Sequence, residues 1–379
     1  MACVAYSMAE VAPLVRRPVQ VEPDQIYQEI GVRSFGKGIF HKPPSTSLVI
    51  GDKKVFAIEP GDLLFNIVFA WEGAIAVAGE EERGTIGSHR FLTCVTNPQI
   101  ALARYLYWYF IQERGLKQLQ LASPGGAGRN RTLGTDKLAA IVVELPSIEE
   151  QRQVVDRLDG AARQIAGLRQ VARATQSELR ATLNSAFRKA VVRAPHVAMG
   201  DIAPIVRRPV DLESNGVYAE LGVRSFGKGL FKKPDLIGGE LTWQKLFRIH
   251  CGDIVFSNIK AWEGAFAVAK PEHHGKVGSH RYLTSVVDSK RATPNFLWYF
   301  LQSDAGLAQV QAASPGSADR NRTLNQKKLA AIEVPLPSLD AQVWFDELQQ
   351  KAGAVQAGQV EVAAELDHLI PALMQQAFR

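Results

Sequence analysis

Short apolar runs broken by turn residues dominate the first 147 positions. Val55-Phe-Ala-Ile58, Leu63-Leu-Phe65 and Phe91-Leu-Thr-Cys-Val95 are β-type runs bounded by Pro-Gly and Gly-Asp turns. Leu102 to Leu119, with Tyr-Leu-Tyr-Trp-Tyr-Phe inside it, has room for one helix, and Ile141 to Leu145 reads as a last strand before Pro146-Ser147. From Ser147 the pattern changes. Ser147 is a plausible helix N-cap with Glu149 and Glu150 in the first turn, and no proline follows until Pro195. Val155, Leu158, Ala162, Ile165, Ala172, Leu179, Leu183 and Ala186 recur at heptad-like spacing. Leu348, Ala352, Val355, Val362, Leu366, Leu369 and Leu373 do the same near the C-terminus. Each segment predicts a helix of about 40 residues, about 60 Å long at 1.5 Å per residue. Pro371 predicts a kink or a restart in the second helix.

The pattern repeats. Adding 191 to a residue number in the first half lands on its counterpart: Gly31-Val-Arg-Ser-Phe-Gly-Lys-Gly38 recurs at Gly222 to Gly229, and Ala70-Trp-Glu-Gly-Ala74 at Ala261 to Ala265. Gly87-Ser-His-Arg90 recurs at Gly278 to Arg281, Arg129-Asn-Arg-Thr-Leu133 at Arg320 to Leu324, and Ala186-Phe-Arg188 at Ala377 to Arg379. About half of positions 12–147 equal their partners. A period this long is a duplicated two-part unit rather than a solenoid. It predicts an α+β fold class. Two similar globular domains, 1–147 and 197–338, are joined by helical spacers, 148–196 and 339–379, with a pseudo-twofold internal repeat.

Charge sharpens that picture. Residues 149–200 carry nine Lys/Arg against five Asp/Glu, whereas 339–379 carry two against six. Helices of opposite sign are suited to pairing as an antiparallel coiled coil, the alternative being that each packs on its own domain. The whole chain, 379 residues at net charge +6, permits a polyanionic partner without requiring one. The first domain is nearly neutral, with 15 Lys/Arg and 14 Asp/Glu over 10–147. Any anion binding there rests on local clustering. No apolar run of about 18 residues predicts a membrane span, and no basic-then-apolar leader is seen at the N-terminus, so a cytoplasmic location is expected. Three scattered cysteines predict neither a disulfide scaffold nor a zinc cluster.

The polar segments shared by the copies are the candidate contacts. Arg33, Ser34 and Lys37 match Arg224, Ser225 and Lys228. His89 and Arg90 match His280 and Arg281. Arg129, Asn130 and Arg131 match Arg320, Asn321 and Arg322. Arg, Lys and Asn reach phosphates and base edges; the competing reading anchors these loops internally on Asp62, Glu72 or Glu29. Arg16-Arg17 and Arg207-Arg208 add a repeated basic pair. Trp71 and Trp262 are read as core residues. One window differs between the copies where its flanks agree: Phe65-Asn-Ile-Val-Phe-Ala70 faces Phe256-Ser-Asn-Ile-Lys-Ala261. Asn66, Phe69, Asn258 and Lys260 are therefore candidates for what each copy contacts. No P-loop, dinucleotide fingerprint, zinc-protease helix, nucleophile elbow or Asn-Pro-Pro-aromatic segment is present, and His273-His274 has no partner ligands nearby. No catalytic centre and no metal site is expected.

These segments resemble a family, the DNA-specificity (S) subunit of type I restriction–modification systems. Glu144-Leu-Pro-Ser-Ile-Glu-Glu-Gln-Arg-Gln-Val-Val-Asp-Arg-Leu158 is similar to the family's junction from recognition domain into helix. Leu179 to Arg188 is similar to the end of its helical region, and Gly61-Asp-Leu-Leu-Phe65 and Gly252-Asp-Ile-Val-Phe256 to its Gly-Asp approach to a strand. The second junction, Ser338-Leu-Asp-Ala-Gln342, keeps the Gln but has Val343 in place of Arg. The resemblance implies two target-recognition domains, each reading half of a split double-stranded DNA site, and paired helices that set the gap and dock two modification methyltransferase subunits. Those subunits bring S-adenosylmethionine, a restriction motor-nuclease subunit joins for cleavage, and the chain itself is a non-catalytic subunit without a cofactor. Other readings remain open at this level: a coiled-coil scaffold binding protein partners, an orphan DNA-binding protein, or a hydrolase built on His89/Asp62 and His280/Asp253.

Overall fold

The computed structural model describes residues 3–126, 130–241, 245–316 and 322–378. The chain divides into two compact units, Met1–Ala172 with Val360–Arg379, and Arg173–Gln359. Each holds one α+β copy and a part of both long helices, Ile148–Val191 and Leu339–Ala377. Among the described residues no helix is long and apolar enough to cross a membrane.

In the first unit the strands fall where the apolar runs end at turns. Leu63–Asn66 lies between Ile75–Val77 and Phe91–Cys94, all antiparallel, with Leu64 opposite Thr93 and Ala76. Val55–Ile58 lies between Pro18–Val19 and Thr85–Ser88. A hairpin pairs Ile30–Val32 with Ile39–His41, and Val4–Ser7 pairs with Val142–Leu145. The second unit repeats this pattern: Ile254–Ser257 sits between Phe266–Val268 and Tyr282–Ser285, and Leu221–Val223 pairs with Leu230–Lys232.

The segment expected to form one helix forms two, Ala103–Ile111 and Glu113–Ala122. Gln112 is extended (φ −79°, ψ 167°) and its side chain accepts from the Arg114 N–H, so it ends one helix and caps the next. Ser303 does the same between Pro294–Gln302 and Asp304–Ala312, accepting from Gly306 N. The break lets the second helix fold back onto the first. Six consecutive residues, Tyr105 to Phe110, are buried, as in a helix enclosed on every side. Phe110 meets Phe65 edge-on at 5.4 Å between ring centroids.

The N-cap expected at Ser147 is a reciprocal capping box: Glu150 accepts from the Ser147 N–H and hydroxyl, and the Ser147 hydroxyl accepts from Glu150 N. One turn later, Gln151 is fully buried. Its amide accepts from Leu102 N at 3.0 Å and donates to the carbonyls of Ile100 and Pro146 at 2.9 and 3.0 Å. Gln342 repeats all three bonds with Thr293, Arg291 and Pro337. The junction Gln thus fastens each helix to its domain. Arg152 beside it is exposed and, among the described residues, pairs with Glu149 alone, which is why Val343 can stand in the second copy. Gln151→Ala orphans three buried backbone groups. It is expected to cost about 3 kcal/mol and to lower the urea midpoint of the first unit, with Gln342→Ala doing the same to the second.

Within the first unit the two helix segments run antiparallel: Arg157 donates to Gln376, and Arg169 pairs with Asp367. Tyr105 packs against Phe378. In the second unit Phe187 packs among Phe296, Tyr299 and Phe345. The C-terminal helix runs through Pro371 without a restart. The apolar seam is narrower than the heptads predict. Ala352 is buried and Leu348, Leu366 and Leu373 are half-buried, but Val355, Val362 and Leu369 are exposed. They lie seven residues apart on one helix face, outside the contact line.

Candidate nucleic-acid interface

In each unit three basic loops converge on one short segment. In the first unit that segment is 66–74, which leaves the central strand through a 3-10 turn at Ala70–Glu72 and returns at Gly73 in the left-handed region (φ 75°). The hairpin loop 33–38 is pinned to it by Phe35 N donating to Glu72 O (2.8 Å), Gly36 N to Gly73 O (2.9 Å) and the Ser34 hydroxyl to the Glu72 carboxylate (3.0 Å). The His89-Arg90 turn joins it through Ile67 N donating to Arg90 O (2.8 Å). The Asn130-Arg131 segment joins through Leu133 N donating to Ile67 O (2.8 Å) and through the Arg131 guanidinium, 4.7 Å over the Trp71 ring.

The second unit rebuilds the same cluster around 257–265. Phe226 N donates to Glu263 O (2.9 Å), Gly227 N to Gly264 O (3.1 Å) and Ser225 to the Glu263 carboxylate (2.8 Å). Asn258 N donates to Arg281 O (2.7 Å), Leu324 N to Asn258 O (2.8 Å), and Arg322 lies 5.0 Å over Trp262. Every join contains at least one backbone bond, so the convergence survives substitution of most side chains.

The residues brought together separate into exposed and anchored groups. Arg33 is exposed, stacked on Phe40 at 4.6 Å; Arg224 stacks on Phe231 at 4.9 Å. The glycine in the strand explains the platform: a Cβ on Gly31 would meet the Phe40 ring at 2.3 Å, and one on Gly222 the Phe231 ring at 2.4 Å. Lys37 and Lys228 are exposed over Phe35 and Phe226, at 5.7 and 5.9 Å. Among the described residues none of Arg33, Lys37, Arg90, Arg224, Lys228 and Arg281 forms an ion pair. Two of the carboxylates named as internal anchors, Asp62 and Glu29, are engaged by groups outside the candidate set, whereas Glu72 anchors one of the candidates, Ser34. Asp62, 2 % exposed, is held bidentately by Arg17 at 2.7 and 3.0 Å, and Asp253 by Arg208. Lys42 takes Glu29 and Ser34 takes Glu72. Arg17 and Arg208 thereby explain one half of the repeated basic pair. Arg16 and Arg207 lie on Phe56 and Phe247 at 4.6 and 4.4 Å, where burial draws their guanidinium pKa down.

Other candidates have internal work. Arg131 donates to the carbonyls of Ser123 and Gln120, closing the helix Glu113–Ala122. The Asn66 side-chain amide oxygen accepts from Val68 N at 3.0 Å. Phe69 is half-buried against the cluster around Ile30, Val32 and Leu64. At the equivalent position Lys260 donates to Glu263 at 2.8 Å, and that bond holds the Glu263 carboxyl below its ordinary pKa. His89, Arg90, Asn130, His280 and Arg281 are exposed. Asn258 Oδ1 and Arg322 Nε are buried with no hydrogen-bond partner among the described residues. Arg129, Arg320 and Asn321 lie outside the described residues.

Two expectations are corrected here. Trp71 and Trp262 are not core residues. Each is half-buried at the cluster, with its indole N–H donated to Val68 O or Ile259 O and its face turned to an arginine. The carboxylates of the His/Asp pairs are buried on arginine, so Asp62 and Asp253 serve structure. His273 and His274 accept from Lys270 N and Cys251 N, and no metal-ligating cluster is present among the described residues.

Reading residue types one by one misses Phe35 and Phe226. They are 71 % and 72 % exposed and sit at φ 62° and 61°. A bulky residue in this region costs about 1–2 kcal/mol, incurred here identically in both copies. The available signal is a Phe set among Arg, Ser, Gly and Lys in a repeated loop. The Tyr107 hydroxyl donates to Gly36 O at 2.8 Å and braces this loop from the helix; burial pushes its pKa up, so it stays a donor.

No protein-family model matches the chain, and neither does any curated protein sequence. Solved structures do match. The HsdS subunit from Thermoanaerobacter tengcongensis matches with a TM-score of 0.56 at 18% identity, over 100% of this chain and 97% of that one. A chain from a structure of type I R-M system assembly and conformational transition matches with a TM-score of 0.66 at 18% identity, over 100% and 98%. The S subunit of a type I restriction-modification system from M. genitalium matches with a TM-score of 0.52 at 12% identity, over 98% and 96%. The chain therefore has the mixed helix–strand fold of these subunits along essentially its whole length.

Proposed function

We propose, from a fold shared with type I S subunits and from the duplicated basic clusters, that this chain is the DNA-specificity subunit of a type I restriction–modification complex. One observation carries the reading. In each unit three loops meet at one segment, and the cations they leave exposed have no carboxylate partner among the described residues. Unpaired Arg and Lys beside Trp and Phe rings suit phosphate and base contact. Each cluster reads one half of a split site in double-stranded DNA. Because the clusters are near copies, the half-sites are similar and inverted, a near-palindrome.

The long helices, paired antiparallel as a coiled coil, are the spacer that fixes the gap. Their exposed apolar side chains, Leu168, Val171 and Val362 in the first unit and Val355 in the second, are surface for docking two modification methyltransferase subunits. A restriction motor-nuclease subunit joins for cleavage. Under this reading the chain is non-catalytic: methylation, with its S-adenosylmethionine, and cleavage belong to the partners, and the setting is phage defence in the cytoplasm.

Binding of a mixed-sequence duplex to the purified chain, titrated from 0.05 to 0.3 M salt, tests this against a protein scaffold. Phosphate contacts predict a steep fall in affinity, with log K linear in log salt. Affinity that is negligible at 0.05 M, or insensitive to salt, contradicts DNA binding and favours the scaffold.

A further inference from the structure

Resting on the DNA-binding reading, we propose that the Phe35 and Phe226 rings are wedges that enter the duplex and stack against bases, one per half-site. Each ring is exposed at the tip of a hairpin loop whose backbone is held in a left-handed turn. The loop does not hold it there loosely. Phe35 N and Gly36 N both donate to the segment 66–74, and Phe226 N and Gly227 N do the same to 257–265. On the far side of that joint, a Cβ on Gly73 would lie 3.7 Å from Phe35 Cα, and one on Gly264 would lie 3.6 Å from Phe226 Cα. The backbone at this joint therefore runs close beside a glycine, fixed there by the two backbone hydrogen bonds. A glycine at Phe35 would satisfy the turn without strain, so the ring is not what folding of the loop requires.

Its neighbours identify what the ring meets. Lys37 lies beside it, and Arg33 leaves the same loop held flat on Phe40. Neither cation is neutralised by an ion pair among the described residues. An apolar ring between two unpaired cations matches a base step between its phosphates better than an apolar protein surface, where those charges would be stranded. Apolar side chains inserted between base steps unstack and kink DNA, and stacking on an aromatic ring contributes per base without strict sequence demand. Loop cations then hold the backbone while the ring opens one step.

The test uses the full-length chain and the duplex it selects from a random library, with 2-aminopurine scanned through both half-sites. The wild-type chain is expected to raise fluorescence several-fold at one step in each half-site. Phe35→Gly should abolish the rise in one half and Phe226→Gly in the other. Affinity of each variant for the selected duplex should fall about fivefold or more with the lost stacking, and thermal midpoints should be unchanged or higher. Phe35→Tyr should restore the signal. Wild-type binding with no fluorescence change at any step overturns the wedge and leaves DNA binding standing. Retained fluorescence in both glycine variants, or loss of methyltransferase association with fluorescence intact, also overturns it, the latter showing that the rings face a protein. A chain that binds no duplex at low salt overturns the wedge together with the reading beneath it.

Discussion

Replacing Arg33, Lys37, Arg224 and Lys228 together by alanine is expected to weaken duplex binding roughly a thousandfold at 0.1 M salt. The four are exposed, and none forms an ion pair among the described residues. Each phosphate contact contributes about 0.9 to the slope of log K against log salt, so four lost contacts flatten it by about 3.6. Circular dichroism should change little, since these side chains hold the loops through stacking on Phe40 and Phe231 or on neighbouring rings and through one exposed bond from Arg33 to Ile39 O. The control set is Arg83, Arg114 and Lys117, each already paired with Glu80, Glu144 or Glu113. Alanine there should move the slope far less. Equal slopes for the two sets would place the DNA elsewhere on the surface.

Gly115→Ala is expected to destabilise the first unit by about 3 kcal/mol or more, and Gly306→Ala the second. A Cβ on Gly115 would lie 2.1 Å from Tyr109 O, and one on Gly306 2.1 Å from Phe300 O. The obstacle is backbone, so no rotamer change relieves it and the helix–helix turn must open. Overpacking of this kind costs about 1–3 kcal/mol where side chains give way and more where they cannot. For units of this size that lowers the thermal midpoint by roughly 10 °C. Midpoints within a degree or two of wild type would mean that the paired helices pack more loosely than the geometry shows.

The same glycines show where sequence reading stops. Short strands, the 191-residue repeat and the long helices are legible because each follows from local periodicity and turn chemistry. The break at Gln112 and Ser303 is not, because it depends on the close approach at Gly115 and Gly306, a tertiary event. The segment from Leu102 to Leu119, with no proline in it, reads as one helix. The heptads overstate the buried seam for a related reason. Val355, Val362 and Leu369 have the right spacing, but which face meets a neighbour is set by the anchors at Gln151, Gln342 and Phe378.

The candidate site was legible as a set of residue types and not as an arrangement. The basic loops are visible as repeats, yet Phe35 reaches Glu72 across 37 positions through a backbone bond that no side-chain pattern encodes. Arg131 and Ser34 look like contacts by chemistry and are occupied internally. Trp71 and Phe35 look like core by hydrophobicity. A 3-10 turn in one case and a left-handed loop in the other turn them outward. A local rule broken twice at equivalent positions is the reason to test this surface first as the DNA contact.

The central claim is that two near-identical clusters read two halves of one DNA site. Selection from a random duplex library, with the full chain alone and with its companion methyltransferase subunit, tests it most directly. Enrichment of two short motifs, similar and inverted, separated by one fixed gap is expected. Enrichment of a single motif, of two unrelated halves, or of nothing from folded protein at low salt would contradict it.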